Sequence, residues 1–252
     1  MIGDFLKSLQ SSDACQFGTW VKLGSPETLE CLALAGFDFI AVDMEHAPHT
    51  FETAYRMIVM AQGLGMKVLV RLPDSQGANV QRILDSGADG VLIPRVRSVQ
   101  EAQQVVDGMI FSPKGSRGLG ITSRAGHWGL KPTPQYVQEG NELVLRIPQL
   151  EDQSALEQVD QILDVPGVNA IFVGPGDLAL STGKPATDPS NAALIDRLIQ
   201  SAKAHGVPCG TAVGDAAAAV KAKARGFNFV MVSNDLSLFA KSAKALMDGV
   251  KS

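Results

Sequence analysis

The chain has 252 residues, of which 45% are apolar and 19% are charged, a length that α/β barrels often reach as one domain. Lys and Arg number 22 against 26 Asp and Glu; neither sign forms long runs, which disfavours nucleic acid and an anionic membrane as partners. No apolar run approaches the ~18 residues of a membrane span, and the amino-terminal segment lacks the apolar core of a signal peptide. We therefore expect a cytoplasmic protein with a small-molecule partner.

Eight short runs rich in β-branched residues follow one another, with helical patterns between them. Several runs show no polar alternation, which is typical of parallel strands buried on both faces. Eight strand–helix units in 252 residues predict one α/β domain over residues 1–252, a (β/α)₈ (TIM) barrel, with a doubly wound open sheet as the alternative. In chain order, the runs are FGTWVKL, FDFIAVDM, MKVLVRL, DGVLIPRV, LVLRIPQL, NAIFVGP, VPCGTAV and FNFVMVS.

Two segments depart from this rhythm. Residues 111–142 form a Gly/Pro-rich insertion far longer than an ordinary connection, and such insertions are usually functional or interfacial. Closure over the barrel mouth is one role that it could have. The carboxyl-terminal SLFAKSAKALMDGV carries apolar residues at helical spacing, which favours a helix covering its own barrel.

The active site of a TIM barrel lies at the carboxyl ends of the strands, so the polar residues at the end of each run or just beyond it are the candidates for chemistry. We expect these side chains to converge at one mouth. They are Asp43, Glu45 and His46 for the second run, Arg71 for the third, Arg95 for the fourth, Gln149 and Glu151 for the fifth, and the turn Gly174–Asp177 for the sixth.

Glu151 and Asp177 lie 26 residues apart, one strand–helix unit, which places them on neighbouring strands. Two ionised carboxylates at that distance repel unless a cation lies between them. An oxygen-only pair suits Mg²⁺ or Mn²⁺ better than zinc. The alternative is that one caps a helix and the other pairs with an arginine.

Arg71 ends an apolar strand, where a permanent charge requires an anion. A bound carboxylate or enolate is one interpretation, and an ion pair within the barrel is the other. The Gly-rich turn before Asp177 lets backbone N–H groups approach an anion at a helix start.

Asp43 precedes His46 by three residues. If both lie on the turn after the second strand, the carboxylate orients the imidazole and raises its basicity, which gives a general-base pair. A zinc site of His46 and His49 is disfavoured because the HExxH helix pattern is missing. Neither a phosphate-binding loop, a dinucleotide fingerprint nor a G-x-S-x-G elbow is present.

Several stretches of the sequence match the motifs of one known family: GTWVKLGSP, FIAVDMEHAP, VLVRLP, ILDSGADGVLIPRV, PKGSRGLG and LEDQSALEQVDQILDVPGVNAIFVGPGDLALSTG. Through these stretches, which span nearly the whole chain, the sequence resembles the HpcH/HpaI family of metal-dependent (class II) pyruvate aldolases, typified by 4-hydroxy-2-oxoheptanedioate aldolase. The resemblance implies a (β/α)₈ barrel. It also implies a homohexamer, a trimer of dimers that exchange their last helix, and this shifts the expectation for the carboxyl-terminal helix towards exchange.

The resemblance also implies roles for individual residues. Pro148, Asp152, Gly126 and His127 depart from the family pattern, so the rim contacts to the substrate are not carried over. The implied roles are metal ligands for Glu151 and Asp177, base for His46 with Asp43 beside it, contact with the substrate oxygen for Arg71, a position beside the metal for Gln149, substrate contacts for Trp20 and for the Pro175, Gly176 and Asp177 backbone, and support of the loop or a bound water for Glu45.

The implied activity is reversible cleavage of a 4-hydroxy-2-oxo acid to pyruvate, or a close analogue such as hydroxypyruvate, plus an aldehyde. The chain would then be a carbon–carbon lyase with Mg²⁺, Mn²⁺ or Co²⁺ as cofactor. Lys22 is the one candidate for a covalent mechanism. The alternatives are a citryl/malyl-CoA-type lyase, which would require a basic groove for CoA, and a non-catalytic barrel that binds 2-oxo acids.

Overall fold

Eight parallel strands close into a barrel in chain order in the computed structural model, which describes residues 4–11, 15–75 and 77–251. Pairing of the first strand with the last closes the sheet, so the predicted TIM barrel is confirmed and the open-sheet alternative is wrong. The strands are β1 Gln16–Val21, β2 Phe39–Asp43, β3 Lys67–Arg71, β4 Gly90–Ile93, β5 Leu145–Leu150, β6 Ile171–Val173, β7 Cys209–Val213 and β8 Phe229–Asn234.

The helices lie between the strands, and polar caps fix where several of them begin. Thr50, Ser98 and Asp215 each accept a hydrogen bond from a backbone N–H of the first turn, which satisfies a donor that the helix itself cannot. The helices are α1 Asp4–Gln10, α2 Pro26–Leu34, α3 Phe51–Gly63, α4 Gly77–Asp85, α5 Val99–Asp107, α6 Thr133–Glu142, α7 Gln153–Glu157, α8 Val159–Leu163, α9 Pro175–Thr182, α10 Pro189–Ala204, α11 Ala216–Arg225 and α12 Asp235–Lys251, with a 3₁₀ turn at His127–Gly129.

Apolar side chains fill the barrel interior. Phe5 and Leu9 of α1 pack against this interior cluster, and the Phe5 ring lies 5.2 Å from that of Phe39 at the amino end of β2. Phe172 and Phe229 continue the cluster, with ring centroids 5.9 Å apart. The amino end of the barrel is thus sealed by α1, while the carboxyl end is left to polar groups.

The long insertion lies at the end of the barrel opposite the mouth. Arg124 donates from Nη1 to Gln62 Oε1 at 2.7 Å and to the Ser86 carbonyl at 3.0 Å. Arg117 pairs with Asp85 at 2.8 Å. These partners sit at the ends of α3 and α4, beside the amino ends of β3 and β4. The interpretation that the insertion closes over the mouth is therefore wrong, because its arginines find their acceptors at the base.

Helix α12 turns an apolar stripe to solvent. Phe239, Leu246 and Val250 are each about 70% exposed (71%, 69% and 71%), and Asp235 is the one residue buried among those described for this helix. The expectation that this stripe covers its own barrel is wrong. Its exchange between subunits stays a prediction. Among the described residues, no helix combines the length and hydropathy needed to cross a membrane.

Gly18 of β1 offers a test of the interior packing. A Cβ added there would overlap ring atoms of the fully buried Phe39. We expect Gly18→Ala to lower the free energy of unfolding by about 1–3 kcal/mol through overpacking. Chemical denaturation checks this against Gly63→Ala, where nothing lies within 4 Å of the added carbon and no loss is expected. Equal midpoints for both variants would contradict the assignment of Phe39 to a rigid interior.

Candidate active site

The carboxylate of Asp43, at the carboxyl end of β2, is completely buried and holds two cations. Arg71 donates to it through Nε at 3.0 Å and Nη2 at 2.8 Å, and Lys22 Nζ lies 2.8 Å from Oδ2. Burial alone would raise the pKa of Asp43, but the hydrogen bonds and charge of Arg71, helped by Lys22 and the His46 N–H, outweigh it and lower the pKa to about 2. The group is therefore ionised at neutral pH.

The His46 imidazole has a different partner from the one that the sequence predicted. Asp43 accepts the backbone N–H of His46 at 3.2 Å, while the ring nitrogen Nε2 lies 3.6 Å from Glu45 Oε2. Both oxygens of Asp43 are already bonded to Arg71, so the predicted Asp43–imidazole pair is replaced by a Glu45–imidazole contact. The His46 side chain is 58% exposed.

Glu45 joins the elements around the mouth. Its carboxylate lies 3.3 Å from Arg71 Nη1 and 3.6 Å from Arg95 Nη2, and only 10% of the side chain is exposed. Glu45 therefore contacts His46 after β2, Arg71 at the end of β3 and Arg95 after β4. The sequence predicted support for the loop at this position, and these contacts are compatible with that role.

Glu151 directly follows β5 and is held from two sides. The Arg95 N–H donates to Oε1 at 2.9 Å, and the Gln149 amide donates to Oε2. Burial raises the pKa of Glu151; the Gln149 hydrogen bond opposes this, and the negative charges of Asp177 and Glu45 raise it further. Glu151 and Asp177 thus repel each other.

The surroundings of this acidic pair fit a hard cation. Gln149 Oε1 is buried without a hydrogen-bond partner among the described residues, and such an atom is costly unless something completes it. A Cβ at Gly174 would come within 3.2 Å of Glu151 Oε2, so glycine keeps this space open. Oxygen donors in this number suit Mg²⁺ or Mn²⁺ with water or substrate in the remaining positions.

Within the described ranges, no group of three or more His, Cys, Asp or Glu comes together as a metal site. The ring of His49, the other half of the rejected zinc pair, contacts the Val21 carbonyl at 3.3 Å.

A cleft of about 420 Å³ opens over the acidic pair. Trp20 does not line it; its ring lies 4.1 Å beneath the Arg71 guanidinium and 5.9 Å from the Phe172 ring. A larger cavity of about 580 Å³ lies between the insertion and the barrel base, and holds none of the predicted site residues. The cleft is lined by Glu45, His46, Arg95, Arg97, Glu151, Asp152, Asp177, Leu180 and Ser181.

Three residues near the mouth, Lys22, Asp235 and Arg97, have positions or contacts that the sequence did not predict. Lys22 was considered only as a nucleophile, yet its Nζ lies 2.8 Å from Asp43 Oδ2, in an ion pair. Asp235, directly after β8, accepts the backbone N–H groups of Lys22 at 3.0 Å and Leu23 at 2.8 Å. The rule that polar residues follow strands would have found Asp235. Arg97 follows β4 at a distance of four residues and was missed.

The fold and the site define an enzyme of the (β/α)₈ class, with its polar groups gathered at the carboxyl ends of the strands. A family model described as HpcH/HpaI aldolase/citrate lyase matches residues 16–242. The chain belongs to this family.

Relatives and solved structures agree with this assignment. The 5-keto-4-deoxy-D-glucarate aldolase of Salmonella paratyphi A (strain ATCC 9150 / SARB42) is 36% identical over 247 residues, 97% of this chain and 96% of the relative. The structure of a family protein from Burkholderia cenocepacia J2315 is 31% identical and covers 99% of this chain and 100% of that one, with a TM-score of 0.92. An HpcH/HpaI aldolase from Desulfitobacterium hafniense DCB-2 is 31% identical, with coverage of 98% and 96% and a TM-score of 0.91.

These similarities confirm the predicted family and the expected carbon–carbon lyase, an aldolase. Family membership also supports a divalent metal ion as cofactor, without identifying the ion.

Replacing Asp43 tests the ion cluster. Asp43→Asn leaves Arg71 and Lys22 without their buried counter-charge, so we expect a loss of about 3–5 kcal/mol in the free energy of unfolding at pH 7. The pKa of Asp43 is lower in the folded protein, about 2 against 3.8. The difference between wild type and variant should therefore be complete above about pH 4 and shrink as the pH falls towards 2.

Urea denaturation across this pH range measures the difference. Asp196→Asn is the control, because Asp196 forms an exposed pair with Arg225 and its loss should cost less than about 1 kcal/mol. A variant at position 43 that is as stable as this control would contradict the assignment.

Proposed function

We propose that the mouth of this barrel catalyses the reversible aldol cleavage of a 4-hydroxy-2-oxo acid to pyruvate, or a close analogue such as hydroxypyruvate, and an aldehyde. The proposal is carried by the mutually repelling pair Glu151 and Asp177 beside the unpaired Gln149 oxygen. The name of the Salmonella relatives, which identifies a deoxy keto acid as the substrate, supports it.

Glu151 and Asp177 are proposed to hold the divalent cation, Mg²⁺ or Mn²⁺ with Co²⁺ as a third candidate. When bound, the cation supplies Lewis-acid polarisation of the 2-oxo group. Gln149, buried beside Glu151, fixes that carboxylate through its amide. The remaining steps fall to side chains and backbone groups of the protein.

The start of α9 is proposed to bind the substrate carboxylate. Gly174, at the cap of this helix, has no side chain to accept a hydrogen bond from the first turn. Pro175, at the first position, has no N–H to donate. The backbone N–H groups of Gly176 and Asp177 are therefore the first donors that the helix leaves unsatisfied, at its positive end. Open space around the Gly176 Cα lets a ligand approach.

Arg71 is proposed to stabilise the negative charge that develops on the 2-oxo oxygen. Two of its N–H groups donate to Asp43, and the guanidinium rests on the Trp20 ring at 4.1 Å. A guanidinium has five N–H donors, so others remain for the substrate. Because the group is fixed before the reaction, it stabilises the transition state without reorganising. Trp20 then contributes by positioning Arg71.

His46 is proposed as the general base. It accepts the proton of the 4-hydroxyl group as the C3–C4 bond breaks, and the bonding electron pair passes to C3 and the 2-oxo group. Protonation of C3 then gives pyruvate. The exposed imidazole at the edge of the cleft is accessible to substrate, and Glu45, 3.6 Å away, is the carboxylate that orients it. No lysine Schiff base is required.

The same proposal covers the assembly and location of the protein. We propose that residues 1–252 form one domain and that the exposed stripe of α12 packs on a neighbouring subunit, in a hexamer built as a trimer of dimers. Apolar exposure of this extent favours a protein interface. A cytoplasmic location stays a prediction.

Exchange of the pyruvate methyl protons with deuterated water tests the metal role, since it requires polarisation of the 2-oxo group but no aldehyde. We expect exchange with Mg²⁺ or Mn²⁺, none after chelation, and a loss of about a hundredfold or more in Glu151→Gln. Proton NMR measures the rate. Glu157→Gln, which replaces an exposed residue of α7, is the control. Exchange that survives complete chelation would contradict the proposed role of the metal.

Replacement of His46 tests the base. We expect His46→Asn to lower the rate of aldol cleavage by about 10²–10⁴-fold, the usual contribution of a general base. Stopped-flow detection of released pyruvate gives the rate, and circular dichroism verifies the fold. His205→Asn, in the αβ connection after α10, serves as control. A cleavage rate unchanged by His46→Asn means that the proton leaves by another route.

A further inference from the structure

Two arginines line the cleft and have no role in the proposed cleavage. Arg95 and Arg97 follow β4, and their side chains are 56% and 63% exposed. They lie in the same cleft as Glu151 and Asp177. The cleft therefore combines an acidic pair that suits a cation with two permanent positive charges that suit an anion.

The Arg95 guanidinium is tethered at the edge of the mouth. Nη2 donates to the Pro73 carbonyl at 2.8 Å and lies 3.6 Å from Glu45 Oε1. Its backbone has a φ of 56°, a left-handed conformation that is uncommon outside glycine, asparagine and aspartate. The N–H of this residue bonds to Glu151, so the conformation that fixes Glu151 also sets the origin of the Arg95 side chain.

The Arg97 guanidinium is held by Nε alone. This atom lies 3.2 Å from Asp152 Oδ2, and no hydrogen bond joins either Nη to another described residue. The other oxygen of Asp152 accepts the Ala155 N–H at 2.9 Å and the Ser154 hydroxyl at 2.7 Å. Asp152 is thus occupied as the cap of α7, and the fork of Arg97 keeps donors for a ligand.

We propose that Arg95 and Arg97 bind a carboxylate on the aldehyde half of the substrate and thereby select acidic aldehydes. This inference rests on the proposed aldol cleavage. In that scheme the 2-oxo acid end is bound at Glu151, Asp177 and the start of α9, so the aldehyde half extends into the rest of the cleft. A guanidinium fork binds a carboxylate through two parallel hydrogen bonds, which favours that group over a neutral hydroxyl.

Each arginine keeps unused donors beside its acidic neighbour. Glu45 divides its contacts between Arg95 and Arg71, whose Nη1 lies 3.3 Å away. Asp152 pairs with Arg97 only through Nε, while its other oxygen caps α7. Glu151 and Asp177 face the proposed cation. The Nη groups of Arg97 are the donors left for the carboxylate of an acidic aldehyde.

The test compares aldehydes of equal length with and without a carboxylate: glyoxylate with glycolaldehyde, and succinate semialdehyde with butanal. The measured quantity is kcat/KM for addition of pyruvate. Because an aldehyde's intrinsic reactivity is the same for every variant, the change in the acidic-to-neutral ratio isolates the effect of the protein. We expect Arg97→Met to lower this ratio about tenfold or more, equivalent to ~1.4 kcal/mol, and Arg97→Lys to retain part of it.

Arg95→Asn tests the second arginine of the site. Asparagine tolerates the left-handed backbone, so this variant preserves the N–H bond to Glu151. It should lower the same ratio. Arg56→Met, which removes an exposed arginine of α3 paired with Glu52, should leave it unchanged.

The outcomes separate this inference from the function on which it rests. If wild-type protein exchanges pyruvate protons but the ratio is the same in wild type, Arg97→Met and Arg95→Asn, the arginine site is wrong while the aldolase mechanism stands. If wild-type protein with divalent metal shows no exchange, both fall. The same ratio of kcat/KM is also measured for glyceraldehyde 3-phosphate against glyceraldehyde. If Arg97→Met lowers this phosphate ratio more than it lowers the carboxylate ratios, the assignment to a carboxylate is overturned.

Discussion

The buried ion pair between Asp43 and Arg71 is the interaction on which the rest of the mouth depends. A carboxylate without solvent exposure is strongly unfavourable unless charges and hydrogen bonds compensate it. Here two N–H groups of Arg71, the ammonium of Lys22 and two backbone N–H groups supply that compensation. The same contacts tie the carboxyl ends of β1, β2 and β3 together and fix the direction in which Arg71 presents its free donors. Trp20 completes the arrangement from below.

Charge is arranged around the mouth in two clusters. Arg71 and Lys22 both contact Asp43, whereas Glu151 and Asp177 form an acidic pair without a full counter-charge. Glu45 connects them, because it contacts Arg71 and Arg95 and also raises the pKa of Glu151. In the proposed mechanism this separation is useful, because the acidic pair would hold the cation and the positive groups around Asp43 would stabilise the enolising 2-oxo group.

The sequence predicted the barrel and the residues at the strand ends, which depend on periodicity. It did not predict which of several possible partners a side chain contacts. Eight apolar runs were sufficient for the barrel, and the rule about strand ends located Asp43, Arg71 and Glu151. It could not show that Asp43 binds Lys22 and Arg71 in preference to the His46 ring, because that choice depends on distances between strands. Nor does the length of residues 111–142 reveal which end of a barrel they cover; Arg124 finds its acceptors at the base. The roles of the site residues stay predictions.

Arg95 has a backbone conformation that is unfavourable for a residue other than glycine. A left-handed backbone at a residue other than glycine costs of order 1 kcal/mol or more and persists only where surrounding contacts enforce it. At Arg95 the enforcing contact is its N–H bond to Glu151. If its side chain also binds the aldehyde, substitutions that change acceptor preference at this position disturb a proposed metal ligand as well. Arg97, whose backbone N–H bonds to Glu101 and not to Glu151, lacks that direct coupling, so we expect acceptor specificity to diverge there with less effect on the proposed metal ligand.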